Sequence, residues 1–242
     1  MASNSETGHA KNVANLKTLN GYLASLGAKY NPTKKSITLP RLQAMHKDAD
    51  KALTDIQDAL PAFSAAVDAQ EAVFKPLDKL VTRMVRAYKA AIENPAEAET
   101  AIALQKKING QGKKADPKKE PAEGEDPIST SQLSYDNRQA NFQLLVKTMA
   151  ANPNYLPNET ELQISTLQAL ADELKQKTEA VDATSAPLIN GRIARNSILY
   201  KSQTGLLPDV LKAVKDYIIS VYGAGSPEIK YINTLKFKGI KK

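Results

Sequence analysis

Apolar residues recur at spacings of three and four along most of this chain, the spacing that places side chains on one face of a helix. The first run ends before Gly27 and comprises Val13, Leu16, Leu19, Leu23 and Leu26. Similar runs follow near residues 42–63, 80–92, 96–108, 142–149, 167–199 and 206–222. Ser226 and Pro227 then resemble the start of a last helix. The pattern therefore predicts an all-α protein.

Prolines lie inside the two longest of these runs. Pro61 falls within the run at 42–63, and Pro187 falls within the run at 167–199. Because proline lacks an amide hydrogen and clashes with the preceding helical turn, we expect it to kink or break each helix.

Residues 110–127 differ in composition from both flanking regions. They contain glycine, proline, lysine and acidic residues but no large apolar side chain. Such a segment buries too little apolar surface to offset the entropy of ordering, so we predict a flexible linker. This linker would separate a first helical unit at 1–109 from a second at 128–242 that ends in a basic tail.

The two predicted units share a sequence pattern. Shifting the chain by 125 residues superimposes Tyr30 and Pro32 on Tyr155 and Pro157, with five identities in sixteen aligned positions. The remaining identities form a shared Leu-Gln-Ala at 42–44 and 167–169. Amphipathic helices align by periodicity alone, but periodicity does not explain a shared Tyr-x-Pro upstream. We predict two tandem related helical units that form a pseudo-twofold helical bundle.

A resemblance supports this interpretation. The Tyr-x-Pro and Leu-Gln-Ala pattern, together with Asn-Gly-Arg-Ile-Ala-Arg-Asn-Ser-Ile-Leu-Tyr at 190–200, is similar to a set of uncharacterised helical proteins common in Bacteroidetes genomes. The similarity covers both halves and is best in the second. It implies a duplicated helical fold, and it implies no activity.

The Tyr-x-Pro motif predicts a turn in each half, because the residue before a proline is biased away from helix. We expect the rings of Tyr30 and Tyr155 to pack against their own units, with each hydroxyl at the rim.

Composition limits the chemistry that the 242 residues can perform. Cysteine is absent, which excludes disulfides and thiolate catalysis, and histidine occurs only at His9 and His46. His9 lies in a polar N-terminal stretch, and His46 neighbours Asp48 and Asp50 on an expected surface, so neither histidine has the ligand cluster of a metal site. No nucleophile-elbow, Walker A or dinucleotide-binding motif occurs. We expect no enzyme activity, no catalytic residue, no cofactor and no metal.

Three polar residues interrupt an otherwise apolar helix near its predicted end. Arg192 and Arg195 are three residues apart and can share a helix face beside Asn196. They are candidates for an anion or partner contact at a crevice. The alternative, which we favour, is a pair of arginines at the core boundary with buried stems.

The net charge is +7, and lysines cluster near the C-terminus. Interleaved with Tyr231 and Phe237, they resemble a single-strand nucleic-acid contact, although arginine is missing there. The alternative is a solvated tail whose Leu235, Phe237 and Ile240 dock on the bundle. The candidate nucleic-acid contacts are Lys230, Lys236, Lys238, Lys241 and Lys242.

The function that these observations favour is a non-enzymatic helical structural or protein-interaction module, acting through a protein partner or self-association. The alternative is a nucleic-acid-binding protein that uses its basic surface. No apolar run approaches 18 residues, so we expect no transmembrane segment. Residues 1–12 are polar without an apolar signal core, so the expected location is cytoplasmic.

Overall fold

A computed structural model describes residues 4–93, 96, 98–110 and 133–239, with side chains described from residue 8 onward. All regular structure in these residues is helical, which confirms the predicted class. Apart from Gly110, the predicted linker lies outside the described residues. The helices are α1 (Asn4–Ser25), α2 (Leu39–Phe74), α3 (Leu77–Ala91), α4 (Ala98–Ile108), α5 (Tyr135–Ala150), α6 (Ile164–Tyr200), α7 (Leu211–Tyr222) and α8 (Pro227–Thr234).

The two longest helices pass through their prolines. Pro61 lies inside α2 and Pro187 lies inside α6, so neither helix breaks at its proline, and a kink there stays a prediction. Both prolines are exposed. Water can therefore reach the backbone carbonyl that each proline leaves without its helical donor, which makes an uninterrupted helix tolerable.

The predicted helix end and helix start near the C-terminus are confirmed. Gly223 ends α7 with φ of +92°, a conformation that favours glycine. The hydroxyl of Ser226 then accepts a hydrogen bond from the backbone N–H of Ile229, and Pro227 occupies the first turn of α8. Ahead of α7, the predicted helix starts with a π-helical turn, Leu206–Val210.

The chain forms two compact units. Unit 1 comprises Met1–Ala62 and Ser185–Lys242, and unit 2 comprises Phe63–Thr184. Each unit therefore contains part of α2 and part of α6. The predicted boundaries at 109 and 128 both fall inside unit 2, so the compact units are not the sequential segments 1–109 and 128–242. The predicted relatedness of those segments concerns ancestry and stays a prediction.

Unit 1 is built on aliphatic side chains. They come from α1 and the start of α2 on one side of the sequence, and from the end of α6, α7 and α8 on the other. Its buried apolar cluster comprises Val13, Leu16, Leu19, Leu23, Tyr30, Ile37, Leu42, Met45, Ala49, Leu199, Leu206, Val210, Leu211, Val214, Ile218, Ile229 and Ile232.

Unit 2 has a separate cluster. It is formed by the last part of α2, by the helices α3, α4 and α5, and by the first part of α6. Its buried members are Phe74, Leu77, Val81, Met84, Val85, Tyr88, Ala101, Leu104, Ile108, Phe142, Leu145, Val146, Met149, Tyr155, Leu162, Leu167, Ala171 and Leu174. Elsewhere in unit 2, the buried amide of Gln70 donates to the hydroxyl of Thr178 at 3.1 Å.

Tyr30 forms a corner in unit 1, between α1 and α2. Its hydroxyl donates to the backbone carbonyl of Ile37 at 2.6 Å. Its ring meets the ring of Tyr217 edge to face, with centroids 5.3 Å apart. The Tyr217 hydroxyl in turn accepts from the backbone N–H of Asn31 at 2.9 Å. Both tyrosines therefore satisfy backbone groups at the corner.

Tyr155 forms the corresponding corner in unit 2, before α6. Its hydroxyl donates to the carbonyl of Leu162 at 3.0 Å, and its ring lies 5.7 Å from that of Tyr88. The expected position of the hydroxyls at the rim was therefore wrong, because both bond buried carbonyls. Each ring also packs against a tyrosine from the other half of the sequence. Burial raises the pKa of Tyr30 and Tyr155, which keeps both hydroxyls as donors at neutral pH.

We predict that Tyr30→Phe and Tyr155→Phe each lower the free energy of unfolding by about 1–3 kcal/mol, because each leaves a buried carbonyl without its donor. Urea denaturation measures this loss. Tyr231→Phe is the control, since Tyr231 is 40% exposed, and it should change stability by less than about 0.5 kcal/mol. Corner variants that match this control would contradict the assigned role of the hydroxyls.

Candidate functional site

The predicted arginine site divides into an exposed part and a buried part. Arg192 is exposed, whereas Arg195 is only 3% exposed. The guanidinium of Arg195 donates from Nε and Nη2 to the amide oxygen of Asn196, at 3.1 and 3.0 Å. The inward face of α6 runs through Leu188, Gly191 and Arg195, which leaves Arg192 outside it. The three residues therefore do not form one site.

Arg195 lies near a buried polar network that links α1 to the end of α6. The Tyr200 hydroxyl lies 2.6 Å from Nδ1 of His9 and accepts from the side-chain amide of Asn12 at 3.0 Å. Asn12 is completely buried. Burial raises the pKa of Tyr200, while the Asn12 bond and the positive charge of Arg195 act in the opposite direction. His9 was predicted to lie in a polar stretch and is instead part of the interior of unit 1.

The same face of α1 holds the C-terminal tail, defined here as residues 235–239. The Asn12 amide donates to the carbonyl of Lys238 and accepts from its N–H, both at 2.8 Å. One helical turn later, Asn15 donates to the carbonyl of Lys236 at 2.8 Å. Two asparagines thus bind alternate residues of the tail: Asn12 uses both the donor and the acceptor of its amide, and Asn15 only donates.

This binding fixes the direction of the tail side chains. Phe237 and Leu235 pack against the cluster of unit 1, as the docked-tail alternative expected, whereas Ile240 lies outside the described residues. Lys236 and Lys238 are exposed, and the ammonium of Lys236 donates to the backbone carbonyl of Asn233 at 3.1 Å. Of the other candidate nucleic-acid contacts, Lys230 is exposed, and Lys241 and Lys242 lie outside the described residues.

The residues of this network were missed in the sequence, although a signal for them exists. His9 and Asn12 continue the spacing of the buried stripe at Val13, Leu16 and Leu19 toward the N-terminus. A polar residue at a core position of a helix indicates a buried hydrogen bond, because an unpaired polar group there is costly.

An exposed apolar surface lies on the part of α6 that belongs to unit 1. We define the α6 stripe as Ile189, Arg192 and Ile193, whose spacing places them on one helix face. Ile189 is 49% exposed and Ile193 is 61% exposed. Each lies two residues from Gly191, roughly 200° around the helix. A Cβ at Gly191 would come within 2.8 Å of Ile56, so glycine permits the close approach to α2 opposite the stripe.

Unit 2 contains an open groove of about 540 Å³ between the starts of α3 and α6. Leu80, Leu167 and Leu170 line it, and an ion pair between Arg83 and Glu161 lies at its edge. Both charged side chains are more than half exposed. Solvent therefore screens the pair, which contributes little to stability.

The described residues contain no group of three or more histidine, cysteine, aspartate or glutamate side chains arranged to hold a metal ion. Among the same residues, no helix has both the length and the apolar character needed to cross a membrane. Comparison of the chain with protein-family models, curated proteins and solved structures gives no match in any of the three. The resemblance to helical Bacteroidetes proteins therefore stays a prediction.

We predict that Asn12→Ala releases the tail and lowers the free energy of unfolding by about 2–4 kcal/mol, because the Tyr200 hydroxyl and the backbone of Lys238 lose their bonds to the buried Asn12 amide together. Amide hydrogen exchange at Lys238 should become much faster, and urea denaturation gives the stability change. Asn15→Ala is the control, since it removes a single exposed bond and should cost below about 1 kcal/mol. Unchanged exchange at Lys238 in Asn12→Ala would contradict this assignment.

Proposed function

We propose that this chain is a non-enzymatic helical module that acts by binding another protein. The α6 stripe is the observation that carries the proposal. Two half-exposed isoleucines flank an arginine there, and bulky apolar side chains with arginine are typical of the centres of protein interfaces. Leaving Ile193 61% exposed forgoes the free energy of its burial unless a partner covers it.

The polar side chains near the N-terminal part of α1 and the end of α6 form hydrogen bonds within the chain, which supports a structural role for them. Asn12 and Tyr200 bond each other, and Asn12 also bonds the tail. Arg195 bonds its neighbour Asn196. These side chains therefore bond to other parts of the same chain, as expected of residues that stabilise a fold. The cytoplasm remains the predicted location.

The partner chemistry that fits the α6 stripe is an amphipathic helix that carries an acidic residue. Ile189 and Ile193 are one turn apart, so they match an apolar stripe of similar spacing on a facing helix. Arg192 provides a cation beside them, and the net charge of +7 favours the approach of an acidic partner. A second copy bound through the same stripe would instead give a mass that depends on concentration.

We also propose that the chain arose by duplication, and the recurrence of local structure supports this. The short 3₁₀ turns Lys35–Ile37 and Thr160–Leu162 are 125 residues apart, the same shift that aligns the sequences. The starts of α2 and α6 and the two tyrosine hydrogen bonds have the same separation. A pseudo-twofold bundle, which duplication would produce, stays a prediction.

The helices that follow the two long helices, α3 and α7, are here called the return helices, and they extend this correspondence. The residues that contact the corner tyrosines, Tyr88 and Tyr217, are 129 residues apart. Each of these two tyrosines follows three aliphatic residues with the same spacing, and all six aliphatic residues are buried. They are Leu77, Val81 and Val85 before Tyr88, and Leu206, Val210 and Val214 before Tyr217. The shift of 129 here, against 125 at the corners, corresponds to four additional residues in the second copy between its corner and Leu206.

We predict that Ile193→Asp weakens partner binding without unfolding the protein, because a carboxylate would replace an exposed apolar contact. Tagged wild type and tagged variant are each used to capture proteins from extracts of the native cell. A protein that the wild type captures and the variant does not is then purified. It should bind Ile193→Asp at least about tenfold more weakly than wild type.

Ile219→Asp is the matched control, since Ile219 lies on α7 in the same unit and is 38% exposed. It should bind the purified partner like wild type. Equal binding by Ile193→Asp and wild type would overturn the role of the stripe.

Nucleic-acid binding is the second candidate, and the fixed tail favours it. Lys236 and Lys238 project from a backbone that Asn12 and Asn15 hold in place. For phosphate contacts, the logarithm of the binding constant falls linearly with the logarithm of the salt concentration. Replacing both lysines by glutamine should reduce that slope by about two. Salt-independent binding to DNA and RNA, or none at low salt, would exclude this candidate.

A further inference from the structure

Neither half of the sequence contains a complete hydrophobic core. We define the N-terminal half as residues 4–110 and the C-terminal half as residues 133–239. Among the described residues, the buried cluster of unit 1 takes nine members from the N-terminal half and eight from the C-terminal half. The cluster of unit 2 takes nine from each. Each unit therefore depends on both halves for its core.

Both units combine a first helix and corner from one half of the sequence with return helices from the other half, but the two halves exchange these roles between the units. In unit 1, the first helix and corner come from the N-terminal half, and the return helices come from the C-terminal half. In unit 2, the first helix and corner come from the C-terminal half, and the return helices come from the N-terminal half. The tyrosine contacts show this exchange, since Tyr30 meets Tyr217 and Tyr155 meets Tyr88.

The chain passes between the units only twice. It leaves unit 1 between residues 62 and 63 and returns between residues 184 and 185, inside α2 and α6 respectively. Pro61 and Pro187 lie within three residues of these crossings. A proline inside a helix removes one backbone hydrogen bond and weakens the helix locally. Both crossings therefore coincide with the points where the long helices are most easily opened.

We propose that a second copy of this chain binds by exchanging residues 4–62, which dock on residues 185–239 of the other copy. Unit 2 is a continuous segment and stays whole, whereas unit 1 is made of two separate segments that different copies can supply. The exchanged dimer keeps every contact within unit 1 and changes the backbone only near Pro61, which makes exchange inexpensive. This proposal does not depend on the α6 stripe, and it rests on the proposed duplication only for its ancestry.

The pairing of the two halves within the chain would then descend from an earlier exchange of the same kind. A half-length ancestor would have formed a dimer by exchanging its return helices, and fusion of the two copies would give the reciprocal pairing described above. The surface that each half presents to the other is therefore a self-association surface in origin.

Complementation between two full-length variants tests the exchange. Leu19 and Val214 are both fully buried in unit 1, so Leu19→Asp and Val214→Asp each place an unpaired charge in its core. In a mixed exchanged dimer, one unit 1 carries both substitutions and the other carries none. Mixing the variants in mild denaturant, followed by its removal, should therefore restore protection of unit 1 amides in up to half of the molecules.

Hydrogen exchange measures the recovery, and native mass spectrometry with one copy isotopically labelled identifies dimers that contain one of each variant. Leu19→Asp mixed with Leu23→Asp is the control, because both substitutions lie in the same exchanged segment and no pairing can restore unit 1. Leu19→Ala with Val214→Ala provides a milder pair for the same measurement.

Recovery only in the Leu19 and Val214 mixtures supports the exchange. No recovery in the Asp or Ala pair, or equal recovery in the control, overturns it. Ile193→Asp in both copies should leave recovery unchanged, so failure of the stripe proposal and failure of this one are distinguishable.

Discussion

The hydrogen bond from a buried tyrosine hydroxyl to a backbone carbonyl seven residues later sets the path of the chain into each long helix. The carbonyls of Ile37 and Leu162 lie just before α2 and α6, where the backbone is turning and has no helical partner for them. The tyrosine supplies that partner from within the same loop. Its ring must then be covered, and Tyr217 and Tyr88 cover it from distant parts of the sequence. The local turn therefore requires a long-range contact, and the entry of each long helix is tied to a return helix of the other half.

This requirement explains why α2 and α6 each serve two cores. The start of each helix continues from its own corner, while its end leads to the return helix that covers the other corner. The proline near the middle of each helix is tolerated because it is exposed, and the buried stripes on either side belong to different clusters. A division of the chain at residue 109 or 128 would separate the two parts of both clusters. The composition of 110–127 indicates where the sequence pattern restarts, which is a different matter from where compact units end.

Periodicity and punctuation in the sequence were sufficient for the helical class, for most helix positions and for the capping of α8 by Ser226. They could not reveal which half fills the opposite side of each apolar stripe, because spacing describes one face of one helix and not its partner. They also could not separate Arg192 from Arg195, which are about 60° apart around a helix. That small angle decides burial only once Gly191 has brought α6 close to α2. His9 shows the converse case, since its position continues a buried stripe while its polarity suggested a surface.

The polar network of unit 1 joins the two segments from which that unit is built. His9 and Asn12 belong to α1, whereas Tyr200 and Lys238 belong to the last part of the chain. Buried hydrogen bonds of this kind add little net stability, but leaving them unmade is costly, so they favour one register of α1 over a slipped one. The same property adds to the barrier to opening unit 1, because separation of the segments breaks all of these bonds together. A second copy would offer identical partners in identical positions, so the network slows exchange without disfavouring the exchanged dimer.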